Sequence, residues 1–374
     1  MNKSRVINTL SVVIACAFVY GAFFGPNTAS IDMFGTIDAH TPIQKTTLNK
    51  TVYNARMLAL ARGVAYAPFQ AVFSSITSTS STSSLKSRAS AMSARQNTNT
   101  QLWPPRAVYP KYGAIFPFKR VVAYYGNFYS KNMGVLGEYP KEEMLAKLER
   151  AVKAWNIADP TTSVVPAIDY IAVTAQGSSG SDGMYRARMP DSQIEKALSI
   201  SREVHGVLIL DVQVGLSTLE KELPLLKKYL KQPDVELAID PEFSMSKSKT
   251  PPGRIIGTVD AKDINYAIEY LAKLVRTYHL PPKFLVVHRF TEAMVTNYKK
   301  IVPLPEVQVV MDMDGWGSPS RKRRTYKDVI YKEPIQFTGF KLFYKNDIKP
   351  PSDHLMTPKE VLQLIPRPVF IQYQ

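Results

Sequence analysis

Val235–Phe243, VELAIDPEF, is a short apolar run that ends in two carboxylates, Asp240 and Glu242. Its length and its Val, Leu and Ile content read as a buried strand, and Pro241 stops it. Side chains on a strand alternate between faces, which places Ala238, Asp240 and Glu242 on one face and Leu237, Ile239 and Pro241 on the other. Two neighbouring acids raise each other's affinity for a proton, the condition that general acid catalysis needs.

Working outward from this stretch, short β-branched or aromatic runs alternate with amphipathic ones. Strands are expected at Val121–Tyr125, within Val165–Val173, at Val207–Val212, in VELAI itself, at Lys283–His288 and Val307–Asp312, within Gln336–Phe343, and at Pro368–Tyr373. Helices are expected between them at Lys141–Trp155, Asp191–Val204, Thr218–Leu230, Asp260–Tyr278, Val295–Ile301, Lys322–Tyr331 and Thr357–Leu364. Leu145, Leu148, Val152 and Trp155 show the helical spacing. Eight strands with intervening helices define an α/β fold, a (β/α)8 TIM barrel, and Arg120–Gln374 has the length for one. An open doubly wound sheet is disfavoured: Tyr125-Gly126-Asn127 supplies no glycine-rich phosphate turn.

A barrel gathers the C-terminal ends of its strands around one cleft. Here those ends are polar. They carry Tyr124 and Tyr125, Asp169, Asp211 and Gln213, Asp240 and Glu242, His288, and Asp312 and Asp314 followed by Gly315-Trp316-Gly317; strand seven offers Lys341 and Tyr344, and strand eight Gln372. Acids placed directly after apolar runs on several strands point to a common site. Catalysis is assigned to Glu242, Asp240 and Asp312. Substrate binding is assigned to Tyr124, Tyr125, Asp169, Asp211, Gln213, His288, Asp314, Trp316 and Gln372. The acids and His288 also admit an oxygen-rich metal site, but no H-x-H or HExxH spacing is present, and no cofactor or metal is expected.

The Asp-x-Glu at the end of strand four resembles the acid pair of two glycoside-hydrolase groups built on this barrel, the chitinase-like family 18 and the lysozyme-like family 25. The resemblance implies that Glu242 protonates the leaving glycosidic oxygen, with Asp240 as its partner. Met311-Asp312-Met313-Asp314 is loosely similar to the chitinase-like strand-six Met-x-Tyr-Asp, and Tyr124 and Tyr125 to its first-strand aromatics. Two further acids of the chitinase-like pattern fall at Val235 and Ala238 here, and VVAYYGN has no counterpart to the strand-one Asp of the lysozyme-like group. The wider set YYGN, LILDVQ, IDPEF, VVHRFT and MDMDGWG resembles exported bacterial barrel proteins of no assigned activity. The implied function is hydrolysis of a cell-wall or extracellular polysaccharide, the alternative a non-catalytic barrel that binds glycan or cell wall.

The remaining sequence supplies an address. Lys3 and Arg5 precede Val6–Gly25, an apolar run without charge and long enough to span a bilayer, so residues 1–25 read as a signal-anchor or signal peptide. Val13-Ile14-Ala15-Cys16 also fits a lipobox. The expected location is the cell membrane, single-pass with the C-terminal domain outside the cytoplasm; a lipoprotein through Cys16 and a secreted protein are the alternatives. Residues 26–118 read as a Ser/Thr-rich stalk, partly helical within Thr46–Phe73, with SSITSTSSTSS at Ser74–Ser84, and residues 119–374 as the barrel. Cys16, the single cysteine, excludes an internal disulfide framework. A formal charge of +16 implies anionic surroundings, namely nucleic acid, anionic lipid or acidic polymer. No nucleic-acid motif accompanies it, and no nucleic-acid partner is expected; the expected partners are a polysaccharide or peptidoglycan-type glycan and the membrane. Arg321-Lys322-Arg323-Arg324 reads as a solvated basic run or as a dock for anionic polymer.

Overall fold

A computed structural model describes residues 47–68 and 102–374. The transmembrane reading of residues 6–25, the lipobox cysteine and the Ser/Thr-rich run lie outside the described residues. Among those described, no helix is long and apolar enough to cross a membrane.

Eight strands form the barrel: β1 (Arg120–Gly126), β2 (Val164–Ala175), β3 (Val207–Val212), β4 (Val235–Ile239), β5 (Lys283–Arg289), β6 (Val307–Met313), β7 (Phe337–Leu342) and β8 (Phe370–Tyr373). Each pairs in parallel with the next, and β1 pairs with both β2 and β8, which closes the sheet without an edge. All eight expected strands form. β2 overruns the barrel, shifts register between Ile171 and Val173, and takes up a short antiparallel partner, Arg186–Arg188.

The helical layer follows from the apolar stripes. After α1 (Lys50–Arg62), which precedes the barrel, α2 (Lys141–Ala158), α3 (Asp191–Glu203) and α4 (Ala261–Tyr278) are its regular helices. α4 starts at a reciprocal cap in which Asp260 and Asp263 each bind the other's backbone. It ends at His279, which adopts a left-handed conformation two residues before Pro281. The expected helix at Val295–Ile301 does not form. Val295–Thr296 instead pairs in parallel with Val259–Asp260, and Tyr298–Lys300 makes a single 3₁₀ turn. Three β-branched residues, Val295, Thr296 and Ile301, favour that outcome.

Two segments expected within the stalk close the floor of the barrel. Tyr53 and Met57 of α1 and Phe116 bury against Val121, Ala123, Phe284, Val286, Phe337 and Phe370. Asn49 caps α1 through Val52 N (3.0 Å), and Arg367 N donates to Leu60 O (2.9 Å). Residues 102–118 are tied down by Trp103 Nε1, which donates to Tyr331 O (2.8 Å). Gln308, facing into the barrel, grips Phe116 at both ends: it accepts from Phe116 N (3.0 Å) and donates to Phe116 O (2.7 Å). The Phe116 ring lies 5.3 Å from Phe284 and 5.4 Å from Phe337.

If Phe116 plugs the floor, Phe116→Ala lowers the unfolding free energy of the whole barrel by about 3–5 kcal/mol. Urea denaturation followed by Trp fluorescence reads this; an unchanged midpoint would mean that the segment only rests on the surface.

Candidate active site

Alternation along the strands sorts the barrel interior into layers. The inward positions of β1 run Val121, Ala123, Tyr125; those of β3 Val207, Ile209, Asp211; those of β5 Phe284, Val286, His288; those of β7 Phe337, Gly339, Lys341. Toward the C-terminal end of each strand an inward position is polar, on β2 at Asp169 before the strand overruns the barrel and on β4 at Asp240 directly after the strand. Tyr125, Asp169, Asp211, Asp240, His288, Asp312, Lys341 and Gln372 thus form one layer above an apolar floor, each at most 3% exposed.

His288 is central to that layer. Its Nε2 lies 2.9 Å from Asp211 Oδ2 and its Nδ1 3.2 Å from Asp312 Oδ2, with Asp314 Oδ2 at 3.5 Å. With a carboxylate oxygen facing each ring nitrogen, the protonated ring can donate to both. Burial alone would pull its pKa down, but the bonds to Asp211 and Asp312 outweigh burial and hold it well above the ordinary value. Lys341 Nζ binds both oxygens of Asp314 (3.0 and 3.1 Å) and lies 4.0 Å from the centre of the Tyr125 ring. Burial opposes its charge too, and Asp314, Asp240 and Asp312 together raise its pKa. Gln372 donates to Asp169 Oδ2 (2.6 Å). Gln213 donates to the Tyr125 hydroxyl (3.1 Å) and accepts from Ala175 N (3.0 Å). At Gly339 a Cβ would fall 2.4 Å from Asp312 Oδ1, so only glycine leaves Asp312 room to point inward.

Above this layer opens a cleft of about 610 Å³. Of the residues assigned from sequence, Tyr125, Gln213, Asp240, Glu242, Asp314 and Trp316 line it. Asp169, Asp211, His288, Asp312 and Gln372 lie in the fully buried layer, in direct or relayed contact with the lining but not part of it. Tyr124 faces the other way. Its hydroxyl bonds to that of Tyr344 (2.9 Å), and its ring packs edge-on to Tyr373 between barrel and helices. Parity explains the difference, since one residue along a strand reverses the face. Residues not assigned from sequence also line the cleft, among them Phe243, Phe290, Arg321, Phe343 and Lys341. The alternation Phe337, Gly339, Lys341 carried the signal for the last.

The acid pair is arranged differently from a continuous strand. β4 stops at Ile239, and Pro241–Phe243 makes a 3₁₀ turn with Asp240 as its cap. Asp240 Oδ1 accepts from Glu242 N (3.0 Å), and Gln213 reaches its other oxygen at 3.5 Å. Glu242 therefore stands on the turn rather than in line with Ala238 and Asp240. Burial, then repulsion from Asp314, raises the Glu242 pKa. Burial raises Asp240 well above the carboxylate range, with Asp211 and Asp314 adding and His288 opposing. Among the described residues no three His, Cys, Asp or Glu side chains are disposed to hold a metal ion.

The basic run is divided by burial. Lys322 is fully buried and binds Gly315 O (2.8 Å), Lys341 O (2.7 Å) and Asp347 (2.9 Å), while Arg321 is exposed at the cleft.

Fold and site together define a closed parallel (β/α)8 barrel with a carboxylate-rich cleft at the C-terminal ends of its strands. No family model and no curated protein matches the chain. Among solved structures it is similar to a GH5-4 broad-specificity endoglucanase from Clostridium acetobutylicum, with TM-score 0.37 and 10% identity over 69% of this chain and 87% of that one. It is also similar to a GH18 chitinase from Pseudoalteromonas aurantia, with TM-score 0.31 and 10% identity over 68% and 94% of the two chains. At these scores the likenesses add nothing to the barrel that the strand pairing already establishes.

A raised carboxyl pKa in the folded state favours folding most at low pH, and that contribution is lost as pH rises through the folded value. Asp240→Asn keeps the cap acceptor but cannot ionise. Its stability relative to the parent therefore improves from about pH 5 to about pH 8. Urea midpoints of the two proteins at both pH values measure this, and parallel curves would contradict the raised pKa.

Proposed function

We propose that this barrel is a glycosidase that cleaves a polysaccharide in the cleft, with Glu242 as the proton donor. The observation that carries the reading is the placement of Glu242. It is half-buried, lines the cleft, makes no side-chain hydrogen bond among the described residues, and has its pKa raised by burial. A general acid needs that combination of access, proton and freedom to donate. Asp240 fixes the turn that carries Glu242 by accepting from its amide. Tyr125, Gln213 and Asp314 offer hydrogen bonds to sugar hydroxyls, and Phe243, Phe290 and Trp316 offer apolar faces. Asp312 holds His288 and acts on the cleft through it.

The apolar run at residues 6–25 supports a barrel held outside the cytoplasm at a membrane, where wall or extracellular glycan is the available polymer.

One observation favours the non-catalytic alternative, a glycan-binding barrel. Among the described residues, apart from the pair itself, the side-chain carboxylate lining the cleft is that of Asp314, and both its oxygens are held by Lys341. A carboxylate so engaged serves as a fixed acceptor for sugar hydroxyls.

The two readings separate on Glu242→Gln, assayed by release of reducing ends from wall glycans, chitin and α- and β-glucans. Loss of at least about a hundredfold in turnover, with glycan binding retained, is the expected result. Turnover that survives the substitution removes Glu242 as the acid, and a parent that binds without releasing ends supports the binding barrel.

A further inference from the structure

The floor of the cleft is acidic, but one side of its mouth is not. Trp316, on the loop after β6, lines the cleft with half its surface exposed. The Arg321 guanidinium lies 5.5 Å from the centre of the indole and the Lys349 ammonium 6.0 Å. Both cations are exposed. Their neighbours Lys322 and Arg323 are paired with Asp347 and Glu360, whereas Arg321 and Lys349 make no ion pair among the described residues.

The mouth is held rigidly. Asp347, buried, accepts from Gly317 N (2.9 Å), Phe343 N (2.9 Å) and Lys322 Nζ (2.9 Å). Lys322 in turn binds the carbonyl of Gly315. Gly317 has φ +141°, and a Cβ there would fall 2.8 Å from Arg321 Cδ, so glycine lets the arginine stem lie against the loop. An exposed indole and two cations with no ion pair among the described residues thus stand beside one another at the entrance to the cleft, on segments tied down by Asp347.

We propose that this mouth is a subsite for a carboxylated sugar. The pyranose lies against the exposed part of the Trp316 indole, and its carboxylate is held by the Arg321 fork and the Lys349 ammonium. The proposal rests on reading the cleft as a glycan site and adds the charge of the sugar that enters it. A neutral sugar would leave both cations without a partner. A carboxylate placed deeper would meet Asp240, Glu242 and Asp314, and the cation there, Lys341, is already held by Asp314, so the charged sugar belongs at the rim and the scissile bond further in.

The test compares polymers that differ only in charge. The full chain is bound to immobilised hyaluronan and to its carboxyl-reduced form, and to polygalacturonate and its methyl ester, at physiological salt. Tighter binding to the acidic member of at least one pair is expected, and Arg321→Gln and Lys349→Gln are each expected to reduce it about fivefold. Lys273→Gln, on the exposed side of α4, controls for general attraction to a basic protein and leaves the preference unchanged. Equal binding within both pairs, no binding to either acidic polymer, or an equal loss in the Lys273 variant overturns the proposal. Because binding is read without turnover, a barrel that does not hydrolyse still shows the preference. Conversely, hydrolysis of neutral glycan with no charge preference removes the subsite and leaves the glycosidase reading standing.

Discussion

The contact of His288 with Asp211 on one side and Asp312 on the other is the interaction on which the upper half of the barrel depends. Asp169, Asp211, Asp240, Asp312 and Asp314 are buried within one layer and its rim, where direct contacts supply two cations, His288 and Lys341. Carboxylates taken out of water are costly unless paired or protonated. His288 pairs two of them with one side chain by using both ring nitrogens. Lys341 pairs a third, and Asp169 and Asp240 answer to burial by holding their protons more tightly. His288 and Lys341 thus offset the buried carboxylates as a group rather than one by one.

Such a layer needs a scaffold that does not yield, and the lower half provides it. The apolar inward residues, plugged by Phe116 and α1, make a packed floor. The closed strand pairing fixes the height of every inward side chain above it. Precision therefore resides in the strands and access in the loops that follow them. Gly315-Trp316-Gly317 belongs to both regimes, because Asp347 and Lys322 tie a mouth loop back to buried carboxylate and ammonium groups.

Much of this arrangement was legible in the amino-acid sequence, and the exceptions share physical causes. The eight strands and the polar character of their ends follow from short apolar runs that stop at acids. Depth did not follow. Strands of a closed parallel sheet are apolar on both faces, so VVAYY gives no sign of which tyrosine points inward, and Tyr124, assigned to substrate binding with Tyr125, faces the helical layer instead. Asp169 and Asp211 read the same from sequence whether they line a cleft or lie beneath it. Tyr53, Met57 and Ala61 recur every fourth residue, the stripe of a helix with one buried side. That stripe was present, but a Ser- and Thr-rich neighbourhood obscured it. Lys341 was visible as a polar strand end. Its importance comes from Asp314, which approaches it from β6, a contact made in three dimensions only.

The different roles of Asp240 and Glu242 come from the proline between them. On a continuous strand both carboxylates would point inward one above the other, and both would be drawn into the buried network. Pro241 cannot extend the ladder, and its fixed φ suits the first position of the 3₁₀ turn that forms there. The turn directs the amide of Glu242 back at Asp240, which spends one oxygen on that bond. The Glu242 side chain is left outside the ladder, at the cleft surface. Two acids two residues apart thereby acquire different environments: one is buried beside Gln213 in the barrel's polar layer, and the other is half-buried and lines the cleft.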